Sequence, residues 1–236
     1  MVFKLLKART SKNIDGLFIA LQEGNADSVT AFGSLLDKFI NMKGYIEDVP
    51  LVDMVFDLLM CKSGDNNVPG LFMAMQEGHY GAVGSFSKLL EKVVTFRDIA
   101  FVFGEYFDNM FLDTVISRRS DGISGLFVAL RNNLPEVVTS YGLLLNLIPK
   151  DELVVGVLVA SYGDIPPAVL FAGKEAFDGY FKIISNLPTK IIYDLYSRFN
   201  NIRMSIERVL SGNGNLDEKY RFLLEKIKEL ATVPRP

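Results

Sequence analysis

The sequence predicts an all-α helical repeat solenoid: one elongated domain over 1–236, with an extra helix in each repeat and capping helices at both ends. Three observations predict it. First, the stripe Val83, Phe86, Leu89, Leu90 and Val93 has the spacing of one buried helix face. Subtracting 54 gives Val29, Phe32, Leu35, Leu36 and Phe39, adding 55 gives Val138, Tyr141, Leu144, Leu145 and Ile148, and a further 39 gives Phe177, Tyr180, Ile183, Ile184 and Leu187. All twenty positions are apolar in a chain that is 49% apolar, so coincidence is a poor explanation. Second, a five-residue pattern precedes three of the copies, from Leu17 to Leu21, from Leu71 to Met75 and from Leu126 to Leu130; the fourth, Ile165 to Val169, is degenerate. Third, apolar segments that a two-helix repeat does not need follow the stripes, and Pro149 and Pro188 introduce two of them 39 residues apart.

Taken in order, Met1 to Arg9 is basic and partly apolar; its lysines interrupt any secretory apolar run, so it is expected to form a capping helix. Ser11 to Asp15 is turn-forming, and Gly16 opens the first helix of the first repeat. Its partner starts at Ala26 or Asp27 and ends near Asn41. Pro50, followed by Leu51, Val52, Val55, Phe56, Leu58 and Leu59, marks a third helix with proline in its first turn. Lys62 to Asn67 closes the repeat as a polar loop. In the second repeat a helix from Gly70 stops at Gly78, where glycine tolerates a left-handed turn, and His79 opens the next helix. Its third segment, Arg97 to Arg119, carries Phe101, Phe103, Phe107 and Phe111 and is expected to break near Gly104 or Asp108. The third repeat has its extra helix from about Lys150 to Ala160, and the fourth ends in Ile191 to Phe199. Asn201 to Leu210 and Leu216 to Leu230 are expected as two terminal helices. The organisation is a cap at 1–13, repeats at about 14–67, 68–122, 123–161 and 162–200, and a cap at 201–232. Five stripe side chains cannot offset the entropy of ordering several tens of residues, so each repeat needs its neighbours to fold.

Net charge is −3, from 25 basic and 28 acidic residues, which gives no basic field for nucleic acid or anionic lipid. Apolar stretches are broken well before the roughly 18 residues of a membrane span. The expectation is a soluble protein with no nucleic-acid partner and no membrane insertion. One cysteine, Cys61, and one histidine, His79, supply neither a disulfide nor a multi-ligand zinc site.

Pro69 to Ala74 stands where ankyrin repeats carry T-P-L-H-x-A, and Gly78-His79 stands where they carry their inter-helix Gly-His. The chain therefore resembles a degenerate ankyrin array. Only the second repeat keeps both glycine and histidine; the first has Gly24-Asn25 and the third Asn133-Leu134, and the extra helix accounts for spacings longer than the usual ankyrin period of about 33 residues. The run GLFMAMQEGH, with a following helix that ends in Leu-Leu, is similar to the atypical ankyrin repeats of enterobacterial type III secretion effectors of the EspL, Shigella enterotoxin-like and OspC-like group. The resemblance covers about residues 14–199. It includes neither front catalytic domain of that group, the cysteine-protease-like one or the arginine-modifying one, for which the sequence before Gly16 leaves no room. It implies a protein-binding virulence effector or effector fragment acting on a host protein in the host cytoplasm.

Cys61 and His79 are the only candidates for a thiol nucleophile and its base, and both are expected to be structural. No glycine motif for a nucleotide is present, and Gly212 to Asn215 is expected as an inter-helix loop. Asp37, Glu91 and Glu175 fall on solvated faces, and Phe18, Phe72 and Phe127 in the core. No cofactor or metal is expected. The candidate partner-binding residues are Gln22, Glu23, Gln76, Glu77, Arg131 and Asn132, which recur at the end of the first helix, and Lys62, Arg118 and Arg119 in the connecting loops. The function expected is non-enzymatic protein binding. Two alternatives stand beside it: an enzyme of unrecognised type using Asp or Glu in an inter-repeat groove, and a bacterial cytosolic accessory or inhibitor of a secretion system.

Overall fold

A computed structural model of the chain describes residues 2–41, 48–63, 67–97, 104–161 and 165–232. Among them every regular element is helical, thirteen α-helices and one 3-10 helix, with only three isolated β-bridges. The chain is all-α. Among the described residues no helix is long and apolar enough to cross a membrane. Two compact units are present, Met1–Gly125 with Ser140–Ile148, and Leu126–Thr139 with Pro149–Pro236.

The first unit holds α1 (Val2–Leu6), α2 (Gly16–Gln22), α3 (Ala26–Ile40), α4 (Asp48–Leu59), α5 (Gly70–Gln76), α6 (Tyr80–Arg97) and α7 (Gly104–Ile116). Equivalent helices of successive repeats pack on each other: α2 on α5, α3 on α6 and α4 on α7. Local sequence sets these helices. α2 stops where Gly24 takes φ +69°, and α5 where Gly78 takes φ +85°. Between them, the Asn25 side chain accepts a hydrogen bond from Ser28 N at 2.9 Å and caps α3. Pro50 lies in the first turn of α4, where a missing N–H costs nothing. A break is expected near Gly104 or Asp108; α7 runs unbroken through Asp108, and the stretch just before Gly104, with Phe101 and Phe103, lies outside the described residues, as do the loop residues Gly64 to Asn66.

Glycine at the head of each first helix has a packing reason that depends on position. An added Cβ at Gly70 would sit 2.9 Å from Cys61 Sγ and 3.2 Å from Phe18 Cα, and one at Gly125 would sit 2.5 Å from Met75 Sδ. At Gly16, which follows no repeat, it would meet nothing within 4 Å.

The second unit holds residues of α8 (Gly125–Arg131) and α9 (Pro135–Leu145), both shared with the first, then α10 (Asp151–Val159), a 3-10 helix (Ala168–Phe171), α11 (Lys174–Ser185), α12 (Thr189–Ser211) and α13 (Gly214–Thr232). The degenerate fourth pattern becomes the 3-10 turn, because each proline disfavours the α conformation in the residue before it, here Ile165 and Pro166, and Pro167 itself is extended at ψ 137°. Asn133, at φ +54°, replaces the turn glycine. Its side chain accepts from Ala176 N at 3.1 Å and donates to Glu175 at 2.9 Å, so the third repeat caps the helix of the fourth. The two segments expected at Ile191 to Phe199 and Asn201 to Leu210 form one helix, α12, since nothing between them but asparagine interrupts it and the next glycine is Gly212.

The stripe lies in the core. Eighteen of its twenty residues are buried, and only Phe32 and Leu35 of the first copy are half-buried. A fifth, partial copy emerges: Tyr220, Leu223, Leu224 and Ile227, each 40 residues beyond the fourth, are the buried face of α13.

Two substitutions separate packing from propensity. Gly16→Ala gains helix propensity in open space and is expected to stabilise by about 0.5–1 kcal/mol. Gly70→Ala overpacks the contact with Cys61 and α2 and is expected to cost about 1–3 kcal/mol. Urea unfolding of both variants checks the sign of each.

Candidate protein-binding surface

The helix ends and loops named from the sequence are placed by the first helices of each repeat. α2, α5 and α8 each end a buried apolar pattern in which Leu17, Leu71 and Leu126 and Phe18, Phe72 and Phe127 are core. The chain then turns outward. Gln22 and Gln76 are half-buried while Glu23 and Glu77 are exposed, and Gln76 donates to Glu77 at 2.9 Å. Because α2 lies on α5, these two polar pairs stand on adjacent helix ends. Arg131 and Asn132 are exposed at the end of α8 in the second unit.

The connecting loops of the first unit share one local design. Each is pinched by an antiparallel bridge, Arg9 with Asp15, Lys62 with Pro69, and Arg118 with Ser124, just before the next first helix. Lys62 and Arg118 line one cavity of about 220 Å³ together with Asp113, Thr114, Met60 and Leu71. Arg119 behaves differently. It pairs with the Asp121 carboxylate, which that hydrogen bond holds below its usual range, and lies over the Phe72 ring at 5.5 Å. Of the three loop cations predicted to face a partner, Lys62 and Arg118 come together, and Arg119 is committed to its own loop.

Sequence reasoning missed two neighbours of this surface, Arg9, which stands at the same loop corner as Lys62 and Arg118, and Asp113 on α7; within the second unit taken by itself it also missed an aromatic groove between α11 and α13 lined by Phe177, Phe181 and Phe222. The loop spacing was the available signal for Arg9. The groove had none, because Phe222 lies off the repeated stripe.

Cys61 is buried at 2% exposure, and burial pushes its thiol up to about 12, with nearby Asp15 adding to the effect. His79 packs its ring against Gly24, where an added Cβ would fall 2.6 Å from Nδ1, and makes no hydrogen bond to Cys61 among the described residues. Of the stretch Gly212 to Asn215 expected as a loop, only Gly212 and Asn213 lie between helices, because α13 already begins at Gly214; Asn213 accepts from Leu216 N at 3.3 Å and caps that helix. Among the described residues, no three or more His, Cys, Asp or Glu side chains gather as metal ligands. Comparison with protein-family models, curated proteins and solved structures finds no match to this chain.

The sign of the thiol shift makes a pH prediction. An unfolded cysteine loses its proton near pH 8.5 while folded Cys61 keeps it to about 12, so the native state binds more protons and stability falls as pH rises above about 8.5. Between pH 8.5 and 9.5, before tyrosine titrates, Cys61→Ala is expected to flatten this fall. Thiol-selective labelling of the native chain is expected only at the rate of global unfolding; fast labelling would contradict the buried placement.

Proposed function

We propose that the chain is a non-enzymatic protein-binding module built as an ankyrin-like solenoid, and that it holds its partner through the polar ends of the first helices and the connecting loops. One observation carries this reading. Equivalent helices stack repeat on repeat in the first unit, so Gln22-Glu23 and Gln76-Glu77 are presented side by side from a buried layer, while the only thiol lies in the core. A surface of this kind displays fixed side chains at regular intervals and suits recognition of another protein. The resemblance to enterobacterial effector arrays makes a host protein the first partner to seek.

Glu23→Lys, Glu77→Lys and Arg118→Glu alter exposed charges without touching the core. Capture from host and bacterial lysates with the wild-type chain, followed by titration of the purified partner, is expected to give saturable binding. The triple variant is expected to weaken it at least about tenfold, ~1.4 kcal/mol, at unchanged melting temperature. Absence of a saturable partner, or loss of binding only on unfolding, overturns the proposal.

A further inference from the structure

The three bridged loops of the first unit put a cation at the same corner each time, but not the same partner. Arg9 faces Asp15 and closes on it, with Arg9 Nε 2.8 Å from the carboxylate. Lys62 faces Pro69 and Arg118 faces Ser124, so the position across the bridge that holds an acid in the first loop holds none in the next two. Neither Lys62 nor Arg118 forms an ion pair among the described residues, and both line the same cavity. Asp113 is the one carboxylate among the lining residues, which leaves that cavity locally cationic by 2 − 1 = 1 in a chain of net charge −3. Ser117 stands in its wall at 2% exposure, and its hydroxyl has no hydrogen-bond partner among the described residues. A buried hydroxyl without a partner is costly, and an acceptor arriving beside it supplies one.

We infer that this cavity receives the side chain of a glutamate presented by the partner protein. Its carboxylate meets Lys62 and Arg118, and its methylene stem lies on Met60 and Leu71. At about 220 Å³ the space suits a single anchoring side chain rather than a drug-sized molecule. Two cations around a carboxylate give charge-assisted hydrogen bonds, and the apolar wall beside them distinguishes a side chain with a stem from a bare anion. The inference rests on the protein-binding proposal and names the chemistry of its partner.

The test titrates the full chain, with labelled methionine and leucine methyl groups, with the α-amide of N-acetyl-L-glutamic acid. The α-amide of N-acetyl-L-glutamine and inorganic phosphate serve as comparisons. Saturable shifts at the Met60 and Leu71 methyls are expected with the acid alone, at millimolar concentration. Lys62→Gln and Arg118→Gln, with unchanged unfolding midpoints, are each expected to weaken binding about tenfold, and Asp113→Asn is expected to tighten it. No saturable shift, an equal response to the glutamine compound, unchanged affinity in both cation variants, or tighter binding of phosphate overturns the inference. The probe needs no protein partner, so the two proposals fail separately. Binding of the acid with no captured protein removes the protein-binding reading, and a captured protein with no response to the acid removes this one.

Discussion

Carbonyls in the last turn of an α-helix have no donor in their own helix, and burying them without one is expensive. Val115 and Leu158 are such residues, each one position from the end of its helix, and both are buried. The donors come from the following repeat: the Tyr141 hydroxyl reaches Val115 O at 2.9 Å and the Tyr180 hydroxyl reaches Leu158 O at 2.8 Å. Burial raises both phenols, so they remain protonated donors. The Tyr220 hydroxyl also donates to a buried carbonyl, Phe199 O, but there to one in the middle of α12. Each tyrosine is also a stripe residue. One side chain therefore supplies apolar area and fixes the register of a second helix on the third helix before it, which an apolar stripe alone does not do.

The stacking that follows presents the repeat-equivalent polar residues at helix ends and loops. In the first unit, α2 on α5 and α4 on α7 bring repeat-equivalent positions side by side, so a residue type that recurs in the sequence recurs on the surface. Small departures from the repeat then have large effects. The first loop neutralises its cation with Asp15, whereas Pro69 and Ser124 cannot do this for Lys62 and Arg118. The proposed recognition chemistry arises from that loss of an acid rather than from any catalytic group.

Much of the helical order was legible because burial leaves a period in the sequence. The starts at Gly16 and Gly70, the pattern from Leu126 to Leu130, the stop at Gly78 and the stripe itself rest on spacing and turn chemistry, both local. Less legible were features that depend on a neighbour. Phe32 and Leu35 match the stripe yet are half-buried. Asn133 looks like a lost turn glycine until its side chain is seen capping α11. The fifth copy was hidden because Asp217 stands where the fourth has Phe177, and α12 ran on through asparagines that a pattern search treats as a break. Among the candidate surface residues, periodicity found Lys62 and Arg118 but could not tell them from Arg119, whose partners Asp121 and Phe72 are set by the folded loop.

The tyrosine-to-carbonyl bond is the most direct point at which to test this account. Tyr141→Phe and Tyr180→Phe keep the ring and remove only the donor, leaving Val115 O and Leu158 O buried and unpaired. Equilibrium urea unfolding is predicted to show a loss of about 1–3 kcal/mol for each, at unchanged m-value. A change within a few tenths of a kcal/mol for both variants would contradict the claim that these hydroxyls fix one repeat on the next.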